Sequence, residues 1–395
     1  MRIFVHDYGS YAFPVQLSRA LAQRGHQVLH LHSAHMESKG RLWQSEDDPA
    51  SFDVRKVKTD ERYVKYDFIK RRAFERSYGR AVVAEIASFK PDIVLNANCP
   101  LETAVFVQRH CKAAGILYVH WMQDIHAVAM QAILPKKLPI IGSAIAAYYT
   151  NVERRMVAAA DAVVIIADEF ADELHKLRMQ PKRAATIPNW MPLDEMKPGE
   201  KINPWSIKNG LDKTTNIIYF GSVGLKQDED LYVKFSEHFR PMREVRVVVI
   251  GGGYVMKGLK QQKVEKGLDN LVLLGWQSYE DVADILATGD VLLAAVNAQA
   301  SLYSVPCKVL TYLSAGRPII AAIPPANLVA KILIQNDMGL VVDPSNVDDV
   351  IRTADRLMRD AGLRQKFSEL GRAYALRTFN IDTICSRFEG LFREV

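Results

Sequence analysis

Four short segments hold residue types that could do chemistry, each at the end of a strand-like run. The first is His6-Asp7-Tyr8-Gly9-Ser10-Tyr11-Ala12-Phe13-Pro14, which turns from a strand into a helix. Backbone N–H groups at Gly9 and Ser10, with the positive helix end, would favour an anion there. With one glycine it lacks the G-x-G-x-x-G pattern, and alone it reads as an ordinary strand–helix turn. The second is Phe220-Gly221-Ser222-Val223-Gly224-Leu225-Lys226-Gln227. Gly221 and Gly224 admit a ligand close to backbone, and Lys226 sets a cation beside it. The third runs over 301–318, SLYSVPCKVLTYLSAGRP. Ser304, Val305, Pro306 and Cys307 lead into a predicted helix whose first-turn proline is well placed. Lys308 and Thr311 follow on that helix. Lys226, Lys308 and the free N–H groups of the helix start would together stabilise the negative charge growing on a leaving diphosphate. The fourth is Val119-His120-Trp121-Met122-Gln123-Asp124-Ile125-His126, at the carboxyl edge of a strand. His120, Asp124 and His126 are natural proton acceptors for a hydroxyl, and which of the three acts is left open.

Asp228-Glu229-Asp230 could suggest a metal, but it opens a predicted helix, where carboxylates cap and oppose the dipole. No metal and no cofactor are expected. Cys99, Cys111, Cys307 and Cys385 form no C-x-x-C pair, which fits buried thiols in a reduced compartment.

The elements that must position these segments alternate strand and helix, the mark of parallel α/β sheets. The 395 residues, 49% hydrophobic, suit two domains. Strands are predicted at Arg2–His6, Gln27–His32, Asp92–Ala97, Leu117–His120 and Ala162–Ala167. A helix over Pro14–Arg24 is ended by Gly25. The alternation breaks over 191–213 and restarts with strands at Asn216–Phe220, Val245–Ile250, Leu271–Leu274, Val291–Ala295, Pro318–Ala322 and Gly339–Val342. After Pro344 the chain reads as helical to its end, over Val347–Arg359 and Leu363–Leu391, long enough to brace the first domain. The expected fold is α/β, two Rossmann-like parallel-sheet domains. These are residues 1–190 with a returning C-terminal helix from about 375, a linker over 191–213, and a second domain over 214–374.

The net charge of +6 lies in the first half, where residues 1–190 hold 26 Lys+Arg against 20 Asp+Glu. Arg55 to Arg80 is the most basic run. It reads first as a solvated helix face and would also suit an anionic membrane surface. No nucleic-acid partner is expected. The N-terminus opens on RIFVH without a signal-like apolar run, and no stretch reaches bilayer-spanning length. Leu138–Tyr149, LPIIGSAIAAYY, is expected to be a buried helix, with an interfacial helix as the alternative. A cytoplasmic location, peripheral on the inner face of the cytoplasmic membrane, follows as an expectation.

Several of these segments resemble glycosyltransferase family 4 when taken in order. Gly25-His26-Gln27-Val28 resembles its "GHxV" opening, and Ala162–Glu169 followed by Ile187-Pro188-Asn189-Trp190 its strand-then-"IPN" signature. Leu273-Leu274-Gly275-Trp276 before the Asp290-Val291 strand, and YLSAGRP over Tyr312–Pro318, resemble its nucleobase-side and donor-helix motifs. The resemblance spans nearly the whole chain. It implies a GT-B fold and a metal-independent, generally retaining transfer from a nucleotide-sugar donor, UDP-linked before GDP-linked, to a lipid-linked or saccharide acceptor. The implied branch adds amino or deoxy sugars to bacterial surface polysaccharide. By resemblance Lys226 contacts the diphosphate, Gly275 and Trp276 border the base, and Gly9 and Ser10 lie near phosphate or sugar. Gly251 joins the donor contacts, and Asp124 falls near the family's acceptor-side histidine.

The sequence also departs from the family. Its paired glutamates would fall at Tyr303 and Thr311, and its usual arginine at Ser222. Thr311 could still bond a ribose hydroxyl without charge assistance, and Lys308 could replace the arginine. The departures keep two alternatives open, a non-catalytic nucleotide-sugar-binding subunit and a sugar-nucleotide epimerase.

Overall fold

The computed structural model describes residues 1–395 except 37, 60, 62–67, 225–227 and 298–305, and the side chains of 68 and 69. The chain forms two compact units, Met1–Asn189 with Asn380–Val395, and Trp190–Phe379.

The first unit holds a seven-stranded sheet. Its strands are β1 (Arg2–Asp7), β2 (Gln27–Ser33), β3 (Phe52–Val57), β4 (Ile93–Ala97), β5 (Leu117–Trp121), β6 (Ala162–Ile165) and β7 (Ala184–Thr186). They lie in the order β3-β2-β1-β4-β5-β6-β7, all pairs parallel. The order reverses between β1 and β4. A doubly wound sheet opens a crevice at such a switch point, outside the strands' carboxyl ends. Aliphatic β1 and β4 are buried on both faces, as parallel strands between helix layers require. The final helix, Ile381–Glu394, packs on helix Ala12–Gln23. Arg24 pairs with Glu389 at 2.9 Å, and Phe388 meets the edge of Trp121 with ring centroids 4.9 Å apart.

The second unit holds six parallel strands, β8 (Thr215–Phe220), β9 (Val245–Ile250), β10 (Leu271–Leu274), β11 (Val291–Ala295), β12 (Ile319–Ala322) and β13 (Gly339–Val342). Their order is β10-β9-β8-β11-β12-β13, with its own switch point between β8 and β11.

Several expectations are corrected. β3 and β7 are strands the sequence did not announce. The basic run is not one helix face: its start is β3, and among its described residues the helix is Phe68–Phe89. Many of its cations are paired within the unit, Arg55 with Asp53 at 2.7 Å and Arg72 with Glu102 at 2.8 Å. Leu138–Tyr149 is not a buried helix. Helices His126–Lys137 and Gly142–Ala159 form a hairpin whose tip exposes Leu138, Ile140 and Ile141, Ile140 to 96%. Gly142 permits the close turn, since a Cβ there would lie 2.2 Å from the Leu134 carbonyl. Residues 191–213 belong to the second unit, tied in by Lys201 to Asp290 at 2.7 Å and by Asn203 to the Asp284 carbonyl at 3.0 Å. The C-terminal return begins at Asn380, not near 375.

Candidate functional site

Each unit offers one constellation at its switch point. In the first, a cavity of about 150 Å³ is lined by Gly9, Tyr11, Lys39, Asn98, His120, Asp124 and His126, among others. Asp7, the last residue of β1, is fully buried beneath it. Its carboxylate accepts from Gly9 N at 3.0 Å, Tyr11 N at 2.6 Å and Asn98 Nδ2 at 2.8 Å. Burial pushes this carboxyl up to about 6, against the pull of those donors and of Lys39. The amides of Gly9 and Tyr11 are therefore engaged by a carboxylate, and an anion at the Gly9–Ser10 turn would have to compete with Asp7 for the Gly9 amide. Ser10 itself is buried with φ of 55°, its hydroxyl donating to the Ser33 carbonyl at 3.2 Å. Asn98 also holds a positive φ, 50°. A positive φ at Asn98 in the cavity wall, and another at Ser10 between the lining residues Gly9 and Tyr11, are what a site held in a set geometry looks like.

The two histidines of the fourth segment differ in charge state. His120 is 2% exposed, and burial lowers its pKa to about 4, so it is neutral at physiological pH. For His126 burial acts downward, but Glu153 outweighs it and raises the pKa. Glu153 is fully buried. It accepts from the amides of His126 at 3.0 Å and Ala127 at 2.7 Å, and from His126 Nδ1 at 3.4 Å. Burial would raise the Glu153 carboxyl, yet His126 and these amides hold it below the usual range. It thereby caps the helix it faces. Asp124 is exposed. Gln123 exchanges side-chain hydrogen bonds of 3.0 and 2.5 Å with Asn189, the asparagine of the "IPN" signature.

In the second unit three glycines cross at the ends of β8 and β9. Gly221, Gly251 and Gly253 have φ of 124°, 136° and 143°. A Cβ on Gly251 would lie 2.1 Å from the Gly221 carbonyl, and one on Gly253 2.4 Å from that of Val223. Only glycine allows this approach. Ser222 continues the turn, its carbonyl accepting from Tyr219 Oη at 2.7 Å. Lys308 reaches under the crossing, its Nζ 3.5 Å from the centroid of the Tyr219 ring. That Nζ is buried, and among the described residues it has no hydrogen-bond partner. Burial alone pulls its pKa down to about 7. A buried amine without an acceptor is costly, and its position beside Gly221 suits an incoming anion. Trp276 is 48% exposed and its indole edge faces Gly252, whose Cβ would meet Nε1 at 2.5 Å. Gly275 beside it is open, with nothing within 4 Å of a Cβ.

The helix carrying Lys308 is short, Lys308–Ser314. The amides of Val309 and Leu310 are bonded to the carbonyls of Pro306 and Cys307. Two of the N–H groups expected to be free at this helix start are therefore engaged within it, and the lysine side chain beside Gly221 is a further anion-seeking group. Pro306 is buried and Cys307 half-buried. Thr311 Oγ1 lies 3.6 Å from Met191 Sδ. Lys226, Ser304 and Val305 lie outside the described residues. Asp228 caps its helix, accepting from Asp230 N at 3.1 Å. Among the described residues no cluster of His, Cys, Asp or Glu is arranged to hold a metal. Asp7, Glu153 and Asn98 were not anticipated. Only Asp7, an acid closing a strand before a glycine turn, left a local signal.

Comparison with known proteins gives a consistent picture. Residues 9–190 match the family described as "Glycosyl transferase 4-like domain", and residues 214–360 match "Glycosyl transferases group 1". The chain is 22% identical to alpha-D-kanosaminyltransferase of Streptomyces kanamyceticus over 62% of its own length, and the match spans only 63% of that enzyme. It is 23% identical to the putative colanic acid biosynthesis glycosyl transferase WcaI of Escherichia coli, over 76% of this chain and 73% of that one. The structure of Anabaena HepE in complex with UDP and glucose superimposes with a TM-score of 0.73 at 15% identity, covering all of both chains.

Proposed function

The chain belongs to the GT4-type glycosyltransferases of GT-B fold, and from that premise we propose that it moves a sugar from a nucleotide-sugar donor to a saccharide or lipid-linked acceptor. The donor is a UDP-sugar. The observation that carries this reading is the Lys308 Nζ, buried beside the glycine crossing without an acceptor among the described residues. A diphosphate supplies an acceptor there, and Lys226 is the second cation that the sequence offers. Trp276 and Gly275 border the base. Negative charge that grows as the glycosidic C–O bond breaks is stabilised by these cations, with no metal. The acceptor hydroxyl attacks the face from which the diphosphate departs, and a phosphate oxygen takes its proton. The configuration is then retained without a protein nucleophile. His120, Asp124 and His126 orient sugar and acceptor in the first unit's cavity. The names of the relatives favour an amino or deoxy sugar and a polysaccharide or glycoconjugate product.

A thermal-shift screen against UDP-, GDP-, ADP- and dTDP-sugars tests the donor. At a hundredfold excess over its Kd the right donor stabilises the protein by about 2.7 kcal/mol. No shift with any of the four would sink the reading.

A membrane-bound acceptor fits the exposed tip Leu138-Pro139-Ile140-Ile141, flanked by Lys136 and Lys137. No helix among the described residues is long and apolar enough to cross a membrane, so contact is peripheral, at an anionic surface such as the inner face of the cytoplasmic membrane. Replacing both Ile140 and Ile141 by Asp is expected to weaken co-sedimentation with anionic vesicles at least about tenfold, since each isoleucine buries roughly 1.5–3 kcal/mol of apolar surface. Equal binding by the variant would remove the tip from the interface.

A further inference from the structure

A continuous row of polar side chains crosses the first sheet just below its cavity. His6 on β1, Asn96 on β4 and His120 on β5 are register partners, each one residue short of its strand's end. Tyr78 and Tyr118 join them from the same core. All five are at most 2% exposed, a costly place for polar groups unless every one is bonded.

The bonds all run one way. His6 Nδ1 lies 2.6 Å from Asn96 Oδ1, an acceptor, so Nδ1 holds the proton. Burial keeps the His6 ring neutral, with its pKa lowered to about 4, so Nε2 accepts from Tyr78 Oη at 3.0 Å. On the other side Asn96 Nδ2 donates to Tyr118 Oη at 2.7 Å. The Tyr118 proton is then free to donate to His120 Nδ1, 3.4 Å away. A neutral imidazole with an accepting Nδ1 has its proton on Nε2.

We propose that Tyr78, His6, Asn96 and Tyr118 form a positioning chain that sets His120 as the Nε2–H tautomer, so that it offers the cavity a hydrogen-bond donor. Resting on the glycosyl-transfer reading, this removes His120 as the base for the acceptor hydroxyl. It makes His120 the group that grips a sugar or acceptor oxygen. The direction matters, because the reversed chain would leave Nε2 as a lone pair, the arrangement of a general base.

Nitrogen NMR of the histidine-labelled full chain reads the tautomer without donor or acceptor, so a failure of transfer activity does not bear on it. His120 is assigned by the signal lost in His120→Gln. The expected wild-type spectrum has a pyrrole-like Nε2 and a pyridine-like Nδ1 at their limiting shifts, and a protonated Nδ1 would overturn the proposal. Asn96→Asp puts an acceptor on both sides, which turns the Tyr118 hydroxyl round and should move the His120 proton to Nδ1. Tyr118→Phe releases Nδ1 and should bring both shifts to intermediate values. A core that uses these groups only for packing predicts no change in His120 in either folded variant, and that result would overturn the chain. Should one variant fail to fold, the other and the wild-type spectrum still decide.

Discussion

Lys308→Met is expected to lower transfer by about 10²–10³-fold, the usual cost of removing one preorganised group that meets charge in a transition state. The fold should survive, because methionine fills the same channel over Tyr219 without a buried charge. Lys308 also predicts a pH signature. Its pKa of about 7 means that above neutrality the free protein holds a neutral amine, whereas a bound diphosphate favours the ammonium. Donor binding then takes up a proton, and affinity falls about tenfold per pH unit above 7, until the pKa of the bound state is reached. Calorimetry at pH 8 in two buffers of different ionisation enthalpy measures the uptake, which should approach one proton and vanish in Lys308→Arg, always charged. Stability runs the other way. The unfolded chain keeps this proton to the ordinary value of 10.5, so the folded state gains as pH rises from 7 towards 10.5, and Lys308→Met loses that slope. Full wild-type activity in the methionine variant would take the diphosphate off this lysine.

Glu153→Ala carries the second large effect. It leaves His126 without its carboxylate and uncaps two amides in the interior, a loss of about 3–5 kcal/mol. The pH dependence separates the ion pair from simple packing. Glu153 sits below its ordinary 4.5, so its contribution is complete above that value and lost as pH falls through the lowered one. His126 sits above its ordinary 6.5, so its share is complete below 6.5 and lost as pH rises through the raised value. The pair is therefore worth most between about 4.5 and 6.5. Urea unfolding of wild type and Glu153→Gln should differ most at pH 5.5 and less at pH 8.5. A difference independent of pH would mean that the charges do not matter.

The central strands were legible because apolar runs such as Val245–Ile250 are buried on both faces and have no other use. β3 was hidden by its place at the edge, where Asp53, Arg55 and Lys56 face outward and mimic a solvated helix. β7 is three residues long, too short to show a period. Lys308 could be read as a cation near Gly221. Its burial could not, since a lysine in a sequence carries every expectation of solvent. Glu153 was invisible for a related reason. It sits on a helix with mixed polarity, and what makes it functional is His126, brought to it across a hairpin. At Gly9 the sequence showed a turn with backbone amides but not that Asp7, in the same turn, accepts from two of them.

The helix Ile381–Glu394 sets an order of assembly on the newborn chain. Its Phe388 completes the aromatic contact behind Trp121, yet the ribosome delivers it after the whole of Trp190–Phe379. At about 5–20 residues per second that interval is roughly 10–40 s. During it the amino-terminal sheet must persist with the seat of its last helix bare, exposed to chaperones and proteases. A premature stop ahead of Phe388 would therefore injure the half of the protein that was made first.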